Sequence, residues 1–138
     1  MGKKRERRGF TLVELMVVIL IVGILAAVAV PILRGRINQA KWSEGAASAG
    51  AIRTAARAYY AENPTAAGLL VGSALTDATA AQLGFTAGDL TGRYFKVGNF
   101  TIATDELNGN YAITVSNTGT GLTGTGKLDS TNGWVYAP

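Results

Sequence analysis

The chain has 138 residues, enough for one modest domain with a core of its own. It contains neither Cys nor His, which removes disulfides, thiolate and imidazole metal ligands, Ser-His-Asp triads and cysteine nucleophiles together and argues against an enzyme. The formal charge of +4 belongs to the first eight residues, which hold five of the thirteen Lys and Arg (Lys3, Lys4, Arg5, Arg7, Arg8) and one of the nine acids (Glu6), so residues 9–138 carry no net charge and bulk charge gives a nucleic-acid face no support.

After the basic leader comes Gly9-Phe10-Thr11-Leu12-Val13-Glu14, followed by nineteen uncharged residues from Leu15 to Leu33. Roughly 20 apolar residues at about 1.5 Å rise each cross the hydrocarbon of a bilayer. A secretory signal peptide cut after Ala27-Val28-Ala29 fits in outline, but the apolar stretch is long for such a segment and opens with a carboxylate. A plain one-pass anchor also fits, with the leader held in the cytoplasm, although Arg34, Arg36 and Lys41 follow the other end and weaken the charge bias. Neither reading accounts for Glu14. An acid inside a membrane span costs about 2.5–3.5 kcal/mol on insertion scales and is by default functional and paired. In the first helical turn it would instead stabilise the helix N-terminus.

The basic leader, Gly9, Phe10, Glu14, the apolar run, Gly23 and Pro31 fall in order over residues 3–33, and together they resemble the N-terminal signature of bacterial type IV pilins and type II secretion pseudopilins. The resemblance implies that a prepilin peptidase removes leader 1–9 by cutting between Gly9 and Phe10, that the Phe10 amine is N-methylated, and that the membrane helix is kept. It also implies a partner for Glu14, the Phe10 amine of a neighbouring subunit. Opposite charges at low effective dielectric attract strongly, and each offsets the desolvation of the other. Gly23 and Pro31, with Ala26, Ala27 and Ala29 between them, read as ordinary membrane-helix residues that permit close packing. The resemblance adds that this stretch loosens as subunits leave the bilayer for a filament core.

On the same resemblance, the chain is a single-pass precursor in the cytoplasmic membrane. It becomes the homo-oligomeric subunit of an extracellular filament for adhesion, motility or DNA uptake, built by a pilus or secretion assembly platform. No catalytic residue, cofactor, metal or small-molecule substrate is expected, and nucleic acid is a disfavoured partner. A major pseudopilin of a type II secretion system, whose filament is periplasmic, is the alternative. A monomeric membrane-anchored binding module and a secreted domain starting at Val30 are competing classes.

The helix is expected to run from Phe10 to Asn63, because Asn63-Pro64 stops it. Residues 10–33 form the transmembrane or filament-core part and 34–63 an amphipathic continuation, a rod of roughly 80 Å in all whose first half projects. Ile52, Ala55, Ala56 and Tyr59 mark its packed stripe. Arg53 and Arg57 lie off that stripe and, with Arg34, Arg36 and Lys41, read as a solvated face. Gly35, Gly45 and Gly50 each weaken the helix by about 1 kcal/mol against Ala.

Residues 64–138 read as a head. A connecting region to residue 92 contains a short helix at Thr79–Leu83, ended by Gly84. Strands are expected at Tyr94–Val97, Phe100–Ala103, Asn110–Ser116, Gly126–Asp129 and Trp134–Tyr136, with a turn at Asn108-Gly109. The fold class is α+β, with three or four antiparallel strands packed on the second half of the long helix. Gly119-Thr-Gly121-Leu-Thr-Gly124 spells a dinucleotide fingerprint, but no helix and distant acid follow, so a bulged hairpin is expected. Asn99-Phe-Thr101 is a glycosylation sequon, read here as an unmodified strand segment. Asp129 with Asn132, or Asp105 with Glu106, offer oxygens to Ca²⁺, although neither spacing matches a ligand loop. With no Cys to close the C-terminal loop by a disulfide, as many pilins do, Trp134 and Tyr136 are the expected lock.

Overall fold

A computed structural model describes residues 9–64, 70–86, 88–105, 110–129 and 133–137. Helix α1 spans Leu12–Glu62, helix α2 Asp77–Gln82, and the chain ends in four strands: β1 Phe100–Asp105, β2 Asn110–Val115, β3 Thr125–Asp129 and β4 Gly133–Ala137. The chain divides into two compact units, Met1–Ile37 and Asn38–Pro138, and α1 contributes to both.

In the first unit every described residue is exposed, and the large apolar side chains range from 44% exposure at Ile37 to 85% at Phe10. No stripe is turned inward, which distinguishes this segment from the core helix of a soluble protein. Its mean hydropathy reaches 3.1 in the most apolar window, and it is long enough to cross a membrane.

The second unit is an antiparallel meander in the order β1-β2-β3-β4 laid on the later part of α1. The face α1 buries is Trp42, Gly45, Ala49, Ile52, Ala56 and Tyr60. The expected stripe is therefore buried at Ile52 and Ala56 and packs partly buried against the core at Ala55 and Tyr59, while the fully buried face runs on to Tyr60 and extends ten residues further back to Trp42. Opposite it lie Phe95, Phe100, Ile102, Ile113 and Val115, all buried. Tyr60 stacks on Tyr111, with centroids 4.5 Å apart and rings 23° from parallel. Gly45 is a packing requirement as well as a poor helix former, because a Cβ there would come within 3.2 Å of Phe95 and 3.3 Å of Val115.

The strand expected at Tyr94–Val97 is not formed. The backbone amides of Tyr94 and Phe95 donate instead to Glu44 Oε1, at 2.8 and 3.0 Å, so a helix carboxylate takes the donors a neighbouring strand would have used. Phe95 is thereby driven into the core, 5.0 Å from the Trp42 ring. Asn99 is also not a strand residue. It closes the 3₁₀ turn Val97–Asn99, is buried, and its Nδ2 donates to the carbonyls of Ser116 and Thr118 at 3.2 and 2.8 Å, which leaves the sequon nitrogen committed. The outer edge of β1 is covered rather than open, since Gly72 N donates to Ile102 O and Leu75 N to Phe100 O at 2.9 and 2.8 Å. The short helix begins at Asp77, ahead of the expected Thr79, because a Thr76–Thr79 capping box starts it. It ends at Gly84 in a left-handed conformation, where Gly84 N and Phe85 N return to Ala81 O and Ala80 O, a Schellman closure.

The glycine-rich stretch 119–124 connects β2 to β3, with Gly119, Gly121 and Gly124 at positive φ and a strand after it, so the dinucleotide reading fails on structure as well. The turns at Asn108-Gly109 and Ser130–Asn132, and the calcium pairs involving Glu106 and Asn132, lie outside the described residues. Among the described residues no group of three or more acidic, His or Cys side chains stands together.

The C-terminal strand is held by aromatic packing. Trp42 lies 6.3 Å from Trp134 and 5.2 Å from Tyr136, Trp42 Nε1 donates to Thr123 O at 3.3 Å, and the Tyr136 hydroxyl donates to the same carbonyl at 3.1 Å. Gly126 makes room for this, because a Cβ there would overlap the Trp134 ring and lie 3.1 Å from Trp42. Gly126→Ala should therefore destabilise the head by about 1–3 kcal/mol, the usual range for overpacking. Faster amide hydrogen exchange in β3 and β4 would report it, and unchanged exchange would contradict this account.

The turn before residue 90 carries a pH dependence. Asp89 Oδ2 accepts from the Thr86 hydroxyl and amide at 2.7 and 2.6 Å, and these bonds hold its carboxyl below the usual aspartate range. A depressed native pKa contributes stability that is fully present above the unfolded value, about 3.9, and is lost as pH falls through the lower native one. Amide exchange at Thr86 should rise in that acid window, and Asp89→Asn should abolish the transition.

Candidate functional site

Helix α1 begins where the sequence supplies a cap. The Thr11 hydroxyl accepts from Glu14 N at 3.2 Å, while Glu14 Oε2 accepts from Thr11 N and from the Thr11 hydroxyl, both at 2.9 Å. This reciprocal pair is the Thr-x-x-Glu capping box, in which two of the amides left unpaired at a helix start are satisfied by side chains. Glu14 stands out in the sequence as a charge beside an apolar run, whereas the hydroxyl three residues before it does not, and the capping spacing is the signal that finds Thr11. The carboxylate also sits in the first turn, where the helix dipole favours a negative charge.

The cap uses one oxygen. Among the described residues Glu14 Oε1 has no hydrogen-bond partner. Gly9 and Phe10 precede the helix and are exposed, with Phe10 the most exposed of the large apolar side chains. The structure thus brings Glu14 to Thr11, the neighbour of Phe10, and gives no hydrogen bond from Glu14 to Phe10 itself.

Gly23 and Pro31 lie within the uninterrupted helix. Pro31 has no N–H to offer the carbonyl of Ala27, one turn back, so one rung of the ladder is missing there. Nothing approaches within 4 Å of where a Gly23 Cβ would be. Gly23 instead lies on two shallow surface grooves, one with Met16, Leu20 and Ala27 and the other with Ala27, Pro31 and Arg34. Small residues on an apolar helix allow another helix to approach closely.

The basic side chains do not form the single solvated face expected of them. Arg53 is half-buried and its Nη1 donates to Asp129 O at 3.1 Å, joining the helix to the end of β3. Lys41 places its Nζ 5.2 Å from the centre of the Tyr94 ring. Arg34 and Arg36 are exposed.

Comparison with known proteins converges on the same segment. Residues 4–30 match the model of the prokaryotic N-terminal methylation motif. The chain is similar to the fimbrial protein EcpC of Eikenella corrodens, 42% identical over 59 residues that cover 43% of this chain and 39% of that protein. It is similar to the type II secretion system core protein G of Pseudomonas aeruginosa, 43% identical over 61 residues covering 44% of this chain and 43% of the relative. It is similar, too, to the type IV major pilin protein PilE1 of Neisseria gonorrhoeae, 45% identical over 69 residues covering 46% and 42%. The chain thus spans about two fifths of the length of these relatives. No solved structure is significantly similar to it.

Thr11→Val removes the hydroxyl from both of its bonds while keeping the branched shape. It should cost the helix start about 1 kcal/mol, the usual worth of a cap, seen as faster amide exchange at Leu12–Leu15 in detergent micelles. Thr11→Ser should restore protection, and equal exchange in all three proteins would refute the cap.

Proposed function

From the premise of a chain of the type IV pilin and pseudopilin family, we propose that it is a structural subunit, made as a membrane-inserted prepilin, that polymerises through its N-terminal helix into an extracellular filament. The observation that carries this reading is an apolar helical segment, exposed at every described residue up to Ile37, that starts on a carboxylate with one oxygen lacking a hydrogen bond among the described residues. Two environments remove such a surface from water, a bilayer and a bundle of like helices, and a filament subunit uses each in turn.

Cleavage between Gly9 and Phe10 creates a positive amine next to Thr11. N-methylation of Phe10 preserves that charge. The amine of one subunit then meets Glu14 Oε1 of another, while Oε2 stays on Thr11. Both ions are desolvated in hydrocarbon, so pairing them offsets a large penalty and fixes one axial register. Gly23 and the missing rung at Pro31 let neighbouring helices approach and let this stretch unwind locally in the filament.

Adhesion, motility and DNA uptake are the tasks such a filament serves. The likeness to a secretion core protein favours a type II secretion pseudopilin as the second reading, with a periplasmic filament. The chemistry is non-covalent in either case, and the covalent steps are carried out on the chain by the prepilin peptidase.

Sequencing of the mature N-terminus should return methylated Phe10. A start at Val30 would mean a secreted domain, and an intact Met1 a plain anchor. Glu14→Ala should enter the membrane at the normal level yet lower the filament yield at least about tenfold, given that one desolvated charge pair is worth more than the ~1.4 kcal/mol that a factor of ten represents. Filaments at full yield from that variant would defeat the assembly role.

A further inference from the structure

The Gly9–Phe10 bond lies just ahead of α1, and a competition for one amide keeps it out of the helix. The first backbone rung of α1 runs from Leu15 N to Thr11 O at 3.3 Å. If the helix extended back through Phe10, the Glu14 amide would pair with the Phe10 carbonyl. It donates instead to the Thr11 hydroxyl at 3.2 Å. Among the described residues no backbone amide is bonded to the carbonyl of Gly9 or Phe10. Both residues are exposed, Phe10 at 85%.

A peptidase engages exposed, non-helical backbone, because helical carbonyls are already bonded within the helix. Thr11 supplies more than a stop. Its own amide and its hydroxyl are both held by Glu14 Oε2 at 2.9 Å, so the residue is tied through backbone and side chain at once. The scissile peptide therefore ends one residue, about 3.8 Å between successive Cα atoms, from a fixed point at the helix start. Holding a reacting bond in place lowers the entropic cost of engaging it. Residue 9 is under no such constraint. Nothing lies within 4 Å of where a Gly9 Cβ would be, and Gly9 is not among the glycines at positive φ. The chain's own packing sets no demand on residue 9, whereas it fixes residue 11.

We propose that Thr11 is a positioning residue for leader removal: tied to Glu14, it ends the helix and presents Gly9–Phe10 to the prepilin peptidase as a held, extended segment. The inference rests on the cleavage in the proposed function and deepens it by naming what presents the bond. The step is a hydrolysis. The bond from the Gly9 carbonyl carbon to the Phe10 nitrogen breaks, the hydroxyl of water joins that carbon, and the proton of water passes to the nitrogen, which leaves as the new amine. Thr11 takes no part in that exchange of atoms. Direct reading of the Thr11 side chain by the peptidase is the alternative, and it ranks substitutions differently. Capping ability places Ser and Asn at or above Thr and Val far below it. Shape places Val nearest to Thr.

The full-length chain and its Thr11→Ser, Thr11→Asn and Thr11→Val variants are combined with prepilin peptidase in detergent micelles, and the initial rate of leader loss is read from the mass of the product. Thr11→Ser and Thr11→Asn should be cut within about twofold of the unchanged chain, and Thr11→Val about fivefold more slowly, the factor to which the ~1 kcal/mol of a cap converts. The loss should fall on kcat/KM and follow the amide exchange at Leu12–Leu15 across the series. Thr11→Val cut at the original rate overturns the proposal. So do Thr11→Ser and Thr11→Asn that are as slow as Thr11→Val, which would identify direct recognition of the side chain. The position of the cut in the unchanged chain is scored separately. A chain that the peptidase does not cut between Gly9 and Phe10 removes the proposed function and this inference together, whereas one cut there at a rate indifferent to the cap removes only the inference.

Discussion

An apolar helix surface that its own chain leaves uncovered is the constraint on which the other features depend. From Phe10 to Ile37 every side chain faces outward, and hydrophobic transfer favours removing that surface from water by about 25 cal/mol for each Å². The Asn38–Pro138 unit has a complete core of its own and does not need that surface. The segment therefore exists for an environment outside the molecule. One carboxylate stands at its start, bonded through one oxygen to Thr11.

The head is built so that the helix can serve both units. Trp42, Gly45 and Glu44 lie on the first two turns of α1 within the Asn38–Pro138 unit, and each fixes a different part of the chain after the helix. Trp42 receives β4, Gly45 admits Phe95 and Val115, and Glu44 bends residues 94–95 away from strand pairing. Further along, Arg53 ties down the end of β3 and Tyr60 stacks on β2. The contacts are spread over nearly twenty residues of helix.

Much of this was legible in the chain, and the failures have physical causes. The uncharged run, the Asn63-Pro64 stop, the alternating strand at residues 110–115 and the final strand pair carry strong local signals, and they appear where periodicity puts them. The buried helix face before Ile52 did not stand out because Gly45 and Ala49 have almost no hydrophobic signal, and they are small for the very reason that the sheet comes close. The strand expected at Tyr94–Val97 has a clear alternation, yet a carboxylate fifty residues earlier claims its amides, and no local pattern shows that. Glu14 was legible as an anomaly. Its partner Thr11 was within reach of the capping pattern, and among the described residues its second oxygen has no hydrogen-bond partner.

The chain has two tryptophans, and both lie in the same contact between α1 and β4, 6.3 Å apart. Its tryptophan fluorescence therefore comes wholly from the junction where the last strand closes on the helix, and none comes from the apolar segment. Emission colour and exciton coupling between the two indoles give an optical gauge of that closure. It needs no dye, and it stays readable when the apolar segment passes from lipid to any other surrounding.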